Sequence, residues 1–324
     1  MQGVPTQWVG IDVGKQTLAV TILPRQLTFT VPNTAAGHRR LVARLGDQPS
    51  CLVLEATGRH HWAIQAALVA AGHPPAVINP MRIHYFRRSE GLQAKTDGLD
   101  ATLLARYAAQ KHPAPAVLRT EAQTRLAEQV RYRDFLVRTR DAFANRAQEA
   151  MPRDLQRRHR TMIRTLDRQI AQTAEAQAAG IAADPALATT ATVLASAPGV
   201  GPVTTAVLLA ELPELGTISA KAIASLAGVA PRDDQSGKAD KRKHLRGGRA
   251  RVRQALYMMA LSATHRDPVM IAHYQQLLAR GKPKKVALLA CARRMLGILN
   301  AMVRESLTWE QTEVGQGRFL PGPP

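Results

Sequence analysis

The 324-residue sequence predicts a mixed α/β first third followed by two mainly helical thirds. Three observations carry that expectation. Short β-rich runs crowd the start of the chain, at residues 8–13, 17–23, 26–32 and 51–56. Helical and strand patterns then alternate as far as about residue 110. From Glu121 to Ala179 there is no glycine and Pro152 is the only proline, which suits long helices.

Taken in order, Gly14-Lys15-Gln16 reads as a tight hairpin turn between the first two strands, or as a longer loop. After Ala35 the apolar spacing becomes helical, with Leu41 and Leu45 on one face. The strand at 51–56 precedes a helix from about Trp62 to Ala71, and a short strand at 75–78 leads to a helix at 97–109. In the middle third, Leu126, Val130, Leu136 and Val137, then Leu155, Met162, Ile163, Leu166 and Ile170, indicate a helical hairpin broken near Met151-Pro152. That pair reads equally as a solvated spacer or as a coiled-coil contact between copies, because its acids and arginines intersperse. The last third is helical, with turns at 198–202, 212–216, 228–237 and 281–283. Expected domains are therefore 1–112, 113–188 and 189–306, with a disordered tail over 307–324.

Charge narrows the function classes. There are 44 Lys and Arg against 24 Asp and Glu, a net of +20, which favours a polyanionic partner. Residues 1–110 and 111–190 each carry +5, while 191–324 carry +10. An apolar fraction of 45% excludes a disordered polycation. Cys51 and Cys291 stand far apart in apolar stretches, which gives neither a disulfide framework nor zinc spacing. The first residues lack a signal-peptide pattern, and no run of 18 apolar residues is free of charge, so a membrane span is not expected. The expectation is a cytoplasmic protein that handles nucleic acid, nucleoid-associated when bound to DNA.

Four acids stand in informative places. Asp12 follows Trp8-Val-Gly-Ile and Glu55 follows Cys51-Leu-Val-Leu, each late in an apolar strand. Asp97 and Asp100 are three apart, on one face of a helix. An acid in an apolar strand is costly unless paired or bound to a cation. A cluster of acids repels itself, and a hard divalent cation such as Mg²⁺, or Mn²⁺, relieves the repulsion. Singly, each acid has an ordinary explanation: a turn for Asp12, a pairing with Arg59 for Glu55, a helix cap for Asp97. Together, in a basic α/β protein, they favour a two-metal centre acting on phosphodiesters.

Two features mark the last third. Gly199 and Gly201, in a Gly-Val-Gly turn between apolar helices, would let backbone N–H groups approach a phosphate, as in helix-hairpin-helix modules, or simply form a helix–helix turn. From Arg232 to Arg253 there are nine Lys or Arg against three Asp. Its candidates for gripping nucleic acid are Arg232, Lys238, Lys241, Arg242, Lys243, Arg246, Arg249 and Arg253. A helix is expected to begin near Arg249.

These motifs resemble a known family. Gly10-Ile-Asp-Val-Gly-Lys15, Glu55-Ala-Thr-Gly58 and Lys95-Thr-Asp-Gly-Leu-Asp-Ala101 look like the acidic motifs of the DEDD transposases of the IS110 insertion-sequence family. Pro231 through Gly237, His244-Leu-Arg-Gly-Gly-Arg249 and Arg253-Gln-Ala-Leu-Tyr-Met-Met-Ala260 look like its second, transposase domain. The resemblance implies a RuvC-like, ribonuclease-H-type first domain with Asp12, Glu55, Asp97 and Asp100 as a metal-binding catalytic tetrad. It also implies that Ser236, in the loop's Ser-Gly pair, is the nucleophile. Implied partners are donor and target DNA, a structured non-coding bridge RNA as guide, and further copies in a homodimer or homotetramer. The expected activity is site-specific recombination through a phosphoserine. The alternatives are a metal-dependent junction nuclease without a covalent intermediate, and a nucleic-acid-binding protein without catalysis.

Overall fold

The computed structural model describes residues 5–55, 60–91, 97–149, 152–230 and 247–316. The chain divides into two compact units, Met1–Leu118 and Arg119–Pro324.

The first unit is built on one sheet. Strands β1 (Gln7–Val13), β2 (Thr17–Leu23) and β3 (Leu27–Pro32) form an antiparallel meander, and β4 (Ser50–Glu55) and β5 (Ala76–Ile78) add in parallel, giving the order β3-β2-β1-β4-β5. The turn at Gly14 is tight, with its N–H donating to the Thr17 carbonyl at 2.9 Å. Helices α1 (Ala35–Leu45), α2 (Trp62–Ala70), α3 (Pro80–Ser89) and α4 (Asp97–Lys111) cover the sheet. Alternation along β1 separates two cores. Val9, Ile11 and Val13 pack with Leu41, Leu45, Ile64 and Leu68 of α1 and α2. Val53, Ala76 and Ile78 pack with Ile83, Phe86, Leu103, Leu104 and Tyr107 of α3 and α4. Three layers result, helix–sheet–helix.

Helix α3 was not expected from sequence, where the strand at 75–78 led straight to the helix at 97–109. Its start is nevertheless encoded locally: the Asn79 side chain accepts from the Met81 N–H at 2.8 Å, and Pro80 occupies the first helical position.

The second unit is helical throughout its described residues: α5 (Glu121–Arg146), α6 (Arg153–Ala183), α7 (Pro185–Ala195), α8 (Pro202–Glu211), α9 (Ala220–Ala227), α10 (Ala250–Arg266), α11 (Pro268–Ala279) and α12 (Lys284–Glu305). The expected hairpin is α5 and α6. A further break follows at Asp184-Pro185, where the axes of α6 and α7 differ by 113°. The Asp184 carboxylate accepts from the N–H groups of Ala186 and Leu187, both at 3.0 Å, and so starts a new helix. The hairpin is not a free-standing linker, since Arg131 and Asp134 of α5 pair with Glu211 and Arg251 of the following helices.

Helix α12 forms the centre of this unit, with Leu288, Cys291, Met295, Leu296 and Leu299 buried. It is the one helix among the described residues long and apolar enough to cross a membrane, and half of its apolar window is buried inside the protein. The stretch after Leu307, read from sequence as the start of a tail, forms a 3₁₀ turn at Trp309–Gln311 with Trp309 buried. Its Trp309 N–H donates to Ser196 Oγ at 2.9 Å. Residues 317–324 lie outside the described residues.

Candidate catalytic site

Strand register sets the first two acids. In the parallel β1–β4 pair, Ile11 stands opposite Leu54, and the same offset carried one residue further sets Asp12 beside Glu55. Neighbouring parallel strands lie about 4.8 Å apart and point equivalent residues to one face. That face is the one covered by α4. Gly10, two residues before Asp12, lies against this helix so closely that a Cβ would sit 2.0 Å from the Ala101 carbonyl oxygen and 2.3 Å from the Ala105 nitrogen. Both acids are half-buried and both are engaged in contacts.

Helix α4 runs antiparallel to β1. Its residues 101–105 lie over Gly10, whereas Cys51, beside Trp8 at the other end of the strand, reaches the Ala108 carbonyl. Further along, the Thr102 and Thr21 hydroxyls are 3.2 Å apart. The first turn of α4 therefore extends past Gly10 toward the strand ends that carry Asp12 and Glu55. That turn holds Asp97 and Asp100. Asp100 is buried and ion-paired with Arg87 of α3, while the side chain of Asp97 lies outside the described residues. Among the described residues no three His, Cys, Asp or Glu side chains gather as a metal-binding group.

Carboxylates late on adjacent strands are oxygen donors of the kind a hard divalent cation takes. Arg87 is a member of this neighbourhood that sequence reasoning missed. Its partner is 13 residues away on another helix, and no local pattern signals the pairing.

Ser236 lies outside the described residues, as do Arg232, Lys238, Lys241, Arg242, Lys243 and Arg246. The residues on either side of this segment meet. Gly228 (φ +73°) and Gly248 (φ +71°) press together: a Cβ on Gly248 would sit 2.3 Å from the Gly228 nitrogen. The Arg249 N–H donates to the Leu226 carbonyl at 2.8 Å. Arg249 and Arg253, expected to grip nucleic acid, have internal partners. The Arg249 guanidinium binds both Glu214 carboxylate oxygens at 2.5 and 2.6 Å, and Arg253 donates to the Gly247 carbonyl at 2.7 Å.

Around them lies a network of arginines and acids. Glu211, with its side chain 9% exposed, is within 3.3 Å of Arg119, 3.4 Å of Arg131 and 3.8 Å of Arg251. Arg251 also binds Asp134 at 2.5 Å. Burial pushes the Arg119 guanidinium down from its usual pKa, opposed by the charge of Glu211.

The Gly-Val-Gly turn joins α7 to α8. Gly199 (φ +78°) fits closely against α10, where a Cβ would meet the Met259 carbonyl oxygen at 2.4 Å. Packing thus accounts for this glycine without a phosphate. Gly201 has open space at the same position.

Residues 9–153 match a family model of DEDD type, described as Transposase, and residues 191–275 match one described as Transposase IS116/IS110/IS902 family. Pilin gene-inverting proteins of Moraxella bovis and Moraxella lacunata are each 29% identical over 328 aligned positions, covering 94% of this chain and 98% of theirs. An uncharacterized 43.6 kDa protein of insertion element IS110 from Streptomyces coelicolor is 33% identical over 120 positions, covering 36% of this chain and 30% of its own length.

Proposed function

Because this chain belongs to the IS110 family of insertion-sequence transposases, we propose that it is a site-specific recombinase that cuts and rejoins DNA through a phosphoserine at Ser236. In this reading Asp12, Glu55, Asp97 and Asp100 hold divalent metal, Mg²⁺ or Mn²⁺. What carries it is the convergence of the β1 and β4 ends with the first turn of α4, in a chain that also retains a Ser-Gly pair within a basic loop.

Bound there, a divalent cation would neutralise charge building on the scissile phosphate. The chain's own residues do the remainder. The Ser236 hydroxyl gives up its proton to water, its Oγ bonds to phosphorus, and the deoxyribose oxygen of the cut strand leaves, taking up a proton from water to become a free hydroxyl. An incoming deoxyribose hydroxyl then loses its proton and attacks the phosphoserine, the serine oxygen leaves and is reprotonated to the hydroxyl, and a new DNA linkage forms. The phosphodiester's energy stays in the protein–DNA bond, so rejoining needs no nucleotide cofactor. A gene-inverting protein, by the meaning of its name, leaves strands rejoined, and that likeness favours recombination over hydrolysis by a junction nuclease.

The proposal extends to a structured guide RNA carrying site specificity, and to a homodimer or homotetramer in which the acids of one copy meet the serine of another. The basic loop around Ser236 supplies the grip on nucleic acid.

Its test is the covalent intermediate. Ser236→Ala is expected to abolish a denaturation-resistant protein–DNA adduct while leaving DNA binding nearly intact. An adduct that persists in Ser236→Ala removes this serine from the mechanism.

A further inference from the structure

We propose that Glu214 and Glu211 are positioning residues for the recombination step: Glu214 clasps the base of the Ser236 loop through Arg249, and Glu211 ties that base to the long helix α5. The proposal rests on Ser236 being the nucleophile.

The two ends of the loop are drawn together by three kinds of contact. Gly228 and Gly248 touch backbone to backbone, each in the left-handed region that favours glycine. Arg253 reaches across to the Gly247 carbonyl at 2.7 Å. Arg249 grips Glu214 in a two-pronged pair and also donates to the Glu211 carbonyl at 2.8 Å. A bidentate guanidinium–carboxylate pair fixes orientation as well as distance, and the Glu214 side chain is only 13% exposed.

The second layer is Glu211. Its carboxylate lies among Arg119, Arg131 and Arg251, so one acid connects the start of α5, the middle of α5 and the first turn of α10. Arg251 is two residues from Arg249 and also binds Asp134 on α5. This chain of pairs has no hydrolytic or metal-binding chemistry of its own. It stands where the backbone enters the helix that follows the loop, and a nucleophile misplaced by about 1 Å reacts on the order of 100-fold more slowly.

The experiment uses the full-length protein with Glu214→Gln, Arg249→Lys and the exchanged pair Glu214→Arg/Arg249→Glu. Trypsin reads the loop directly, since Arg232, Lys238, Lys241, Arg242, Lys243 and Arg246 are all substrates for it. Without DNA, the first two variants are expected to be cut within 232–246 at least about tenfold faster than the parent, with thermal midpoints well above the assay temperature. At saturating DNA their rate of adduct formation falls by about 10- to 100-fold, while half-saturating DNA concentration changes less than about twofold. The exchanged pair recovers most of both properties. Unchanged cleavage and unchanged adduct rate in folded Glu214→Gln overturn the clasp. So does a loss confined to DNA affinity, which would make these residues binding groups. An adduct surviving Ser236→Ala overturns the nucleophile instead, and the DNA-free trypsin measurement still decides the clasp.

Discussion

Gly10 shows why a single missing side chain matters near the acids. It stands between Val9 and Ile11, both fully buried, and its face of β1 meets the α4 backbone rather than side chains that could yield. Gly10→Ala is expected to lower stability by at least about 1–3 kcal/mol, the usual cost of overpacking, because neither the Ala101 carbonyl nor the Ala105 nitrogen can move without shifting α4. Thermal unfolding compared with the parent measures it, and an unchanged midpoint would mean that α4 does not sit on this strand. From sequence, Gly10 was one position of an acidic motif. Asp12 was legible as an acid late in an apolar run, since strand alternation is local. The contact that demands glycine at position 10 comes from 91 residues further on, where no local pattern reaches.

Among elements, α4 does the most to assemble the proposed site. The three-residue spacing of Asp97 and Asp100 already placed both on one helical face. The direction of the helix across the sheet is what sends its first turn toward the strand ends that carry Asp12 and Glu55 rather than toward the other end of β1. Asp97→Ala is expected to weaken Mn²⁺ binding by more than about tenfold, read by titration calorimetry without DNA. Equal affinity in the variant and the parent would take Asp97 out of the metal site. Helix α3 escaped notice because its inward face is narrow, Ile83 and Phe86, with arginines and exposed Met81 and Tyr85 around it. The α6–α7 break escaped for the opposite reason: apolar spacing runs through Asp184-Pro185, and only the capping geometry marks the new start.

For the whole molecule, the +20 charge requires a division of labour among its arginines. Arg119, Arg131, Arg249 and Arg251 are paired with acids inside the second unit and do not form a free cationic face. Six basic residues of the 231–246 stretch are the remaining candidates near the serine. If about six phosphates are neutralised, DNA affinity should fall by roughly 10³-fold between about 50 and 200 mM salt. A binding titration across that range checks it, and a flat response would rule out a phosphate grip as the main source of affinity.

Periodicity, composition and short motifs in the sequence sufficed for the antiparallel start, the helix–strand alternation and the long hairpin. Each of those is written in residues within a turn or two of one another. Long-range pairings decided the rest: β1 beside β4, α4 laid antiparallel over Gly10, Gly228 against Gly248, and Glu211 among three arginines. Arg249 makes the distinction plain. In the sequence it is one more cation in a basic run, and in the fold its charge belongs to Glu214, 35 residues away, because a half-buried guanidinium is most stable where a carboxylate meets it.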